Sequence, residues 1–344
     1  MSASSMGMEE VFEMAIRRAA DLLTKLLGRR GRPRIGRALL LGSVFFATTL
    51  TAQTPQRPRI LGISHIGLLA HDFEASRAFY GQFLGFEEPY NLKNPDGSML
   101  MTFFKINDDQ VIELYPERKP DTDRMTHYSL ITDNIEGMRA YLASKGFKVP
   151  SQAHRARIGN VSFDVKDPDG ETIEMVQYMP DGKTMLTKGQ YLNPEAISDH
   201  MTHVGLIVPA PMDAEYKFYT DVLGFKEFWR GSANGQTLSY INLRVPDGTD
   251  YVEFMLTKEA PPATKRGGAH HLCLQVPSVP AAVAKLEAEP YYKEVYKREI
   301  VVHVGKNHKR QANLFDPDGT RIELMEPNTV DGVPAPSSTA PPPQ

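Results

Sequence analysis

The sequence predicts an α+β protein made of four copies of one strand–helix–strands unit, which pair into two domains. The first observation is a near repetition: "RAFYGQFLGF" at 77–86 returns as "YKFYTDVLGF" at 216–225. The second is that two fainter copies begin at His127 and His271. The third is length, because 344 residues exceed one ordinary core and suit two domains.

Each unit begins with a histidine and a β-like apolar run, then continues with helical spacing. In the first unit Ala75, Phe79 and Phe83 share a helical face, and the predicted helix ends at Gly85. The third unit ends its helix at Gly224 in the same way. Glycine suits the left-handed residue that terminates a helix.

The second and fourth units follow the same order. Their helical faces carry Ile135, Met138 and Leu142 in one, and Val279, Val283 and Leu286 in the other. Short β-like runs follow each helix and are broken by turn sequences. These turns are Pro-Asp-Gly at 95–97, 168–170, 246–248 and 317–319.

One unit of strand, helix and about three strands is too small to bury a sheet face, so the units should pair. Pairing predicts a first domain at 60–182, a linker at 183–197 and a second domain at 198–328. The proline-rich residues 329–344 are predicted to be a disordered tail.

Residues 1–56 read as a signal or anchor segment. An uncharged run of 13 residues at 38–50 follows several arginines, and Ala52 offers a cleavage position. A signal peptide near 29–52 predicts a periplasmic or secreted protein. The preceding amphipathic stretch is long for a signal, so three alternatives stay open: a start at Met14, a membrane anchor with transient membrane contact, or a cytoplasmic protein.

Composition narrows the function classes. The fractions of 41% hydrophobic and 24% charged residues are those of a soluble globular protein. A net charge of −3 gives no basic field for nucleic acid, so no nucleic-acid partner is expected. The lone Cys273 cannot form an internal disulfide and is expected to be a buried thiol. Monomer and homodimer are both compatible with the sequence.

A histidine and a glutamate recur in every unit, the histidine in the first strand and the glutamate in the last. Two imidazoles and two carboxylates per domain suit a divalent ion of Zn, Ni, Fe, Mn or Co, with no thiolate to favour a softer ion. Four protein ligands would leave two adjacent positions of an octahedral ion for a small substrate with neighbouring oxygens. The eight residues are His65, Glu113, His127 and Glu174, then His203, Glu253, His271 and Glu323.

These features resemble the vicinal oxygen chelate superfamily of glyoxalase I, epimerases, fosfomycin-resistance transferases, bleomycin-resistance proteins and extradiol dioxygenases. The resemblance covers about 61–328 and is carried by "FYGQFLGF", "FYTDVLGF", "DPDGETIEM" and "DPDGTRIELME". It implies four βαβββ modules forming two glyoxalase-like domains, each a cupped mixed sheet. It also implies that the eight residues above are two sets of metal ligands.

The resemblance leaves three functions open. The first is a lyase or isomerase of glyoxalase type on a small substrate chelated through vicinal oxygens, with Glu174 or Glu323 moving the proton. The second is an extradiol-type iron dioxygenase, for which His203, His271 and Glu323 would suffice, with Asn313 nearby but no tyrosine in the approach to that acid. The third is a non-catalytic resistance protein that binds a small molecule.

Overall fold

The computed structural model describes residues 55–344. The predicted signal or anchor segment, Met14 and the cleavage position Ala52 lie outside the described residues. Export therefore stays a prediction. Among residues 55–344, no helix combines the length and apolarity needed to cross a membrane.

The first sheet is formed by the first two units. Its strand order is β2-β3-β4-β1-β5-β8-β7-β6. The central strands β1 and β5 are antiparallel, and each has a parallel outer neighbour, β4 or β8. The strands are β1 (Ile60–Ala70), β2 (Asn91–Lys93), β3 (Met99–Lys105), β4 (Val111–Pro116), β5 (Met125–Thr132), β6 (His154–Arg155), β7 (Val161–Lys166) and β8 (Thr172–Gln177).

The second sheet repeats this plan with the order β10-β11-β12-β9-β13-β16-β15-β14. Its centre is the antiparallel pair of β9 and β13, with parallel neighbours β12 and β16. The prediction of two cupped mixed sheets is confirmed. The strands are β9 (Met201–Pro209), β10 (Lys226–Gly231), β11 (Tyr240–Arg244), β12 (Tyr251–Thr257), β13 (His271–Gln275), β14 (His303–Val304), β15 (Lys309–Phe315) and β16 (Arg321–Thr329).

The helices begin and end where local chemistry favours it. Side chains of Asp72, Asn134 and Ser278 accept the N-terminal hydrogen bonds of three of them. Gly85 and Gly224 have φ of 81° and 79°, as predicted. The helices are α1 (Phe73–Ala78, with a π-helical turn Phe79–Phe83), α2 (Ile135–Ser144), α3 (Lys183–Leu186), α4 (Asp213–Lys217, with a π-helical turn Phe218–Val222) and α5 (Val279–Ala288). Shorter pieces are a 3₁₀ turn Ala263–Lys265 and a π-helical turn Tyr292–Tyr296.

The first strands begin earlier than predicted in three of the four units. His65 lies in the middle of β1, which starts at Ile60, whereas His271 does open β13. The early residues are buried or partly buried, and they were not predicted because the histidine was taken as the boundary of the strand.

The helices of each half pack against the other half. Phe83 of the first half lies against Tyr291, with ring centroids 5.1 Å apart, and Phe147 lies against Phe218 at 4.8 Å. One continuous cluster of buried side chains therefore includes residues of both sheets. Burial of these rings excludes water from the space between the sheets and supplies much of the folding free energy.

Polar contacts across this core repeat with the same crosswise pattern. Tyr80 donates to Asp316 at 2.9 Å, and the hydroxyls of Tyr128 and Tyr219 lie 2.6 Å apart. The first unit thus contacts the fourth, and the third contacts the second.

The predicted linker and tail both make defined contacts. In the linker, Asn193 donates to the carbonyl of Gly85 at 2.8 Å. In the tail, the backbone of Ser338 donates to Arg230 at 2.9 Å, and Pro341 accepts from Leu238 at 2.8 Å. These contacts use exposed backbone groups of β10 and the residues after it, and the disorder of residues 329–344 stays a prediction.

A buried carboxyl pair lies at one of the crosswise contacts. Glu215 of α4 accepts from the backbone of Asp169 at 3.1 Å and is hydrogen-bonded to Asp167. Burial, with repulsion from Asp167, raises the pKa of Glu215 to about 10, and burial raises that of Asp167 to about 6. Ser76 occupies the equivalent position of α1 and donates to Asp318 at 3.3 Å, so the other contact has no such pair.

Glu215→Gln should stabilise the protein by about 1–3 kcal/mol at pH 7. Because the pKa of Glu215 is higher in the folded than in the unfolded chain, its contribution to stability is complete below pH 4.5 and is lost as the pH rises towards 10. Glutamine stays neutral and avoids that loss, so the gain should vanish near pH 4. Urea unfolding at several pH values measures it, with exposed Glu74→Gln as the control. An equal gain at pH 4 and pH 8 would contradict the explanation.

Candidate metal centres in the two cups

The first cup brings its predicted residues together from the two central strands and their parallel neighbours. The Nε2 atoms of His65 and His127 lie 3.0 Å apart. Glu113 lies 3.7 Å from the first and 3.6 Å from the second. Glu174 is slightly more distant, with Oε2 at 3.9 and 3.8 Å. The first three form one close group, and Glu174 lies at its edge.

The second cup brings all four of its residues into one close, buried group. The Nε2 atoms of His203 and His271 are 3.1 Å apart. Glu253 lies 3.8 and 3.6 Å from them, and Glu323 lies 3.5 and 3.3 Å from them. Both predicted sets therefore converge in space.

Two glycines make room for these rings. Gly67 faces His127 across the β1–β5 pair, and Gly205 faces His271 across the β9–β13 pair. A Cβ at either glycine would overlap with the Cε1 atom of the facing ring. Each glycine comes two residues after a histidine, in "HIG" and "HVG". That spacing is a signal that the sequence reading missed.

Hydrogen bonds hold the rings by their other nitrogens. The hydroxyls of Ser64 and Thr126 lie 2.9 and 2.8 Å from Nδ1 of the histidines that follow them, and Thr202 lies 3.4 Å from Nδ1 of His203. In the fourth case Nδ1 of His271 donates to the carbonyl of Ala269 at 2.6 Å. These contacts fix the orientation of the four rings.

The electrostatics favour neutral imidazoles at His65 and His271, whereas the hydrogen bond and charge of Glu113 outweigh burial and raise the pKa of His127. Burial lowers the pKa of His65 to about 4, and burial together with the charge of Arg321 lowers that of His271 to about 3. Burial alone would raise the pKa of Glu113, but the two histidines hold it near 2. Burial and repulsion from Glu113 raise the pKa of Glu174 to about 8. A bound cation would lower that last value.

The two carboxylates of the second cup also have pKa values shifted in opposite directions. Hydrogen bonds from His203 and His271 outweigh burial and hold the pKa of Glu323 well below its ordinary value. Burial raises the pKa of Glu253. One neutral imidazole and one firmly ionised carboxylate in each cup are donors that suit a divalent ion.

The walls of the two cups differ, although each cavity has a volume of about 310 Å³. The first is lined by Tyr90, Leu92 and Phe103 among others. The second is lined by Trp229, Asn313 and Arg321 among others. Trp229, the one tryptophan of the sequence, lines this cup and is 8% exposed.

One further side chain contacts a predicted metal ligand, and one further group of acidic residues and a histidine lies elsewhere in the structure. Tyr115 donates to Glu113 at 2.6 Å. The two residues are two positions apart in β4, so period-two alternation places their side chains on the same face of the sheet. A third group of Asp123, Glu171 and His270 lies outside both cups. Arg266 lies 3.4 Å from both acids, so ion pairing already accounts for their charges.

Cys273 is buried and free, as predicted.

One protein-family model matches most of the two sheets of this chain. The model of the glyoxalase/bleomycin resistance protein/dioxygenase superfamily matches residues 62–175 and 199–324. The chain belongs to this superfamily. The two matched stretches correspond to the two cupped sheets, so each half is one superfamily domain.

Individual relatives are more distant. The chain is 27% identical over 219 residues to a protein named lactoylglutathione lyase from Schizosaccharomyces pombe, in a match of 58% of this chain and 66% of that protein, just under two thirds of its length. A manganese-bound glyoxalase from Novosphingobium aromaticivorans has a TM-score of 0.57 at 21% identity, covering 78% of this chain and 83% of its own. A homoprotocatechuate 2,3-dioxygenase from Brevibacterium fuscum reaches 0.62 at 17%, covering 83% and 77%. At these identities the solved structures support the fold alone.

Proposed function

We propose that this protein is a divalent-metal-dependent lyase or isomerase of glyoxalase type. The observation that carries the proposal is that two histidines and two glutamates converge in each cup, as a close group of four in the second and as a close group of three with Glu174 at its edge in the first. A dioxygenase site needs only three such ligands, whereas Glu253 makes a fourth in the second cup. The fission yeast relative named lactoylglutathione lyase supports the same class.

The donor set fits a divalent ion of Zn, Ni, Fe, Mn or Co. His65, Glu113 and His127 would hold it in the first cup, with Glu174 at its edge, and His203, Glu253, His271 and Glu323 would hold it in the second. When bound, such an ion acts as a Lewis acid that stabilises negative charge on two neighbouring substrate oxygens.

Turnover is assigned to the first cup. Glu174 lies outside the close ligand group there and its side chain is 20% exposed, so it has room to reach a substrate proton. Glu323 is 7% exposed and lies 3.3 Å from His271, within the close group. The apolar wall of the first cup suits the hydrocarbon part of a small substrate.

The chemistry needs no external oxidant. Glu174 takes the proton from the carbon that bears one of two vicinal oxygens and returns it to the neighbouring carbon. One C–H bond breaks and another forms, the hydroxyl proton passes from the first oxygen to the second, and the electron pair stays within the substrate. A thiol adduct of a 2-oxoaldehyde would thus become a 2-hydroxyacyl thioester.

An extradiol-type dioxygenase is the second candidate. Tyr240 lines the second cup beside Glu253 and Glu323, whereas the sequence reading found no tyrosine in the approach to Glu323. It comes from β11, in the other unit of the domain, which local sequence does not reveal. A non-catalytic binding protein is disfavoured by the complete ligand sets.

The deciding experiment supplies the purified, metal-loaded chain with phenylglyoxal and glutathione, and separately with catechol. Thioester formation without oxygen uptake is expected with the first pair, and no oxygen uptake with catechol. Oxygen consumption with catechol by the iron-loaded chain would replace the proposal with the dioxygenase. Elemental analysis of the same sample identifies the metal.

Gly67→Ala and Gly205→Ala should each weaken metal binding at the cup they border by about 10- to 100-fold. The added Cβ overlaps with a ligand ring, which must then turn away from the ion. Metal titration of each variant measures the loss. Gly268→Ala, which would meet no atom within 4 Å, should bind metal normally. Normal metal binding in both cup variants would contradict the assigned ligands.

We also propose, from the sequence alone, that the chain is exported or membrane-anchored through residues 1–56 and acts as a monomer or homodimer. Cell fractionation of the full chain and light scattering of the purified protein test these points. A cytoplasmic protein of full length would contradict the first of them.

A further inference from the structure

The second cup contains buried polar atoms without hydrogen-bond partners among the described residues. Such atoms are normally paired, so several in one cavity point to a missing ligand. Three of the four residues line the cavity beside Glu253 and Glu323, and the other, Asn242, lies opposite Glu253 in the neighbouring strand. The atoms are Nε1 of Trp229, Nε of Arg321 and the side-chain oxygens of Asn242 and Asn313.

Arg321 is a cation without an acidic partner in this cup. Its Nη2 lies 2.8 Å from both ring nitrogens of His271, so the guanidinium lies against the imidazole. The ion pairs of the cup join histidines to Glu253 and Glu323. Among residues 55–344, no carboxylate pairs with Arg321.

Among residues 55–344, the first cup has no buried cation without an acidic partner. The equivalent of Arg321 is Thr172, since "GETIE" aligns with "GTRIE". The residue opposite Glu113 is Phe103, where the second cup has Asn242. Its cations Arg155 and Arg157 are both exposed; Arg155 pairs with Asp181 at 2.7 Å, and Arg157 donates to the carbonyl of Lys93 at 2.8 Å. The other cations near this cup, Arg118 and Lys119, are exposed to solvent and therefore screened.

The charges of the two cups therefore differ. Two glutamates balance a divalent ion in either cup, which leaves the first cup neutral. Arg321 gives the second cup one further positive charge in a partly buried place, and exposed Lys306 adds another at its rim. A guanidinium binds a carboxylate by two parallel hydrogen bonds, which is the strongest pairing available to it.

We propose that the second cup binds a small carboxylate, which pairs with Arg321 and accepts a hydrogen bond from Trp229, and that the first cup does not share this preference. A 2-oxo carboxylate has the right form, because its keto oxygen would also face the metal position. Only the orientation of that keto oxygen rests on the proposed metal; the pairing with Arg321 does not.

The test compares pyruvate with butane-2,3-dione, its neutral analogue of nearly the same shape. Trp229 is the one tryptophan of the chain, so tryptophan fluorescence reports on the second cup alone. The full, metal-loaded chain is titrated with each compound, and calorimetry gives the affinity independently. Pyruvate should change the fluorescence and bind about tenfold or more tightly than the dione.

Variants locate the anion. Arg321→Thr, which copies the first cup, should weaken pyruvate binding about 10- to 100-fold, and Arg321→Lys should retain part of it. Arg155→Thr removes a cation of the first cup and should leave the pyruvate titration unchanged. Circular dichroism and metal analysis check each variant, and Arg321→Gln replaces the threonine variant if that one does not fold.

Equal binding of pyruvate and the dione, or pyruvate binding that survives Arg321→Thr, would overturn the proposal. So would the absence of pyruvate binding by both methods. Repeating the titration on metal-stripped protein separates the two proposals: pyruvate binding that persists there supports the Arg321 pair even if no isomerase activity is found.

Discussion

Glu174→Gln is expected to lower kcat/KM for the isomerisation by about 10²- to 10⁴-fold. The amide keeps the size of the side chain and removes the group that accepts the proton. Glu174 lies at the edge of the first ligand group, with Oε2 3.8 Å from His127. Initial rates of thioester formation measure the effect, and metal content shows whether the ion is still bound.

Glu323→Gln is the matched control, because it makes the same change in the second cup. Activity within about threefold of the parent chain is expected, since that cup is assigned no part in turnover. The reverse outcome, with Glu323→Gln inactive and Glu174→Gln active, would move catalysis to the second cup. Halved activity in both variants would mean that both cups turn over substrate.

Phe218→Ala is expected to destabilise the protein by about 3–5 kcal/mol. Phe218 is 2% exposed and packs on Phe147 of the other half, so its removal leaves a cavity between the halves. Denaturant unfolding measures the loss. Phe228→Ala changes the same residue type at a site that is 41% exposed and should cost about 1 kcal/mol or less. Similar losses in the two variants would contradict this explanation.

The repeated elements could be predicted from the sequence because their signals are local and recur. The turn sequences, the glycines that end the helices and the histidine–glutamate pairing each appear in more than one unit, so one copy supports another. Gly85 and Gly224 show this, since both have the positive φ that was predicted. The site residues His65 and Glu113 were found for the same reason.

Features that depend on long-range contacts could not be predicted. Arg321 is an ordinary charged residue in the sequence, and only the fold places it against His271. Tyr240 reaches the second cup from another unit. The hydrogen bond from Ser338 in the tail to Arg230 of β10 could not be predicted either, because proline-rich composition carries no information about a partner strand.

The crosswise packing has a consequence for how the chain can be divided. A fragment ending in the linker would leave the aromatic faces of α1 and of residues near Phe147 open to water, since their partners Tyr291 and Phe218 belong to the other fragment. Separately expressed halves would therefore aggregate and be poorly soluble, while co-expressed halves would reassemble without a peptide bond between them. Duplication in this protein has produced two mutually dependent pieces rather than two portable ones.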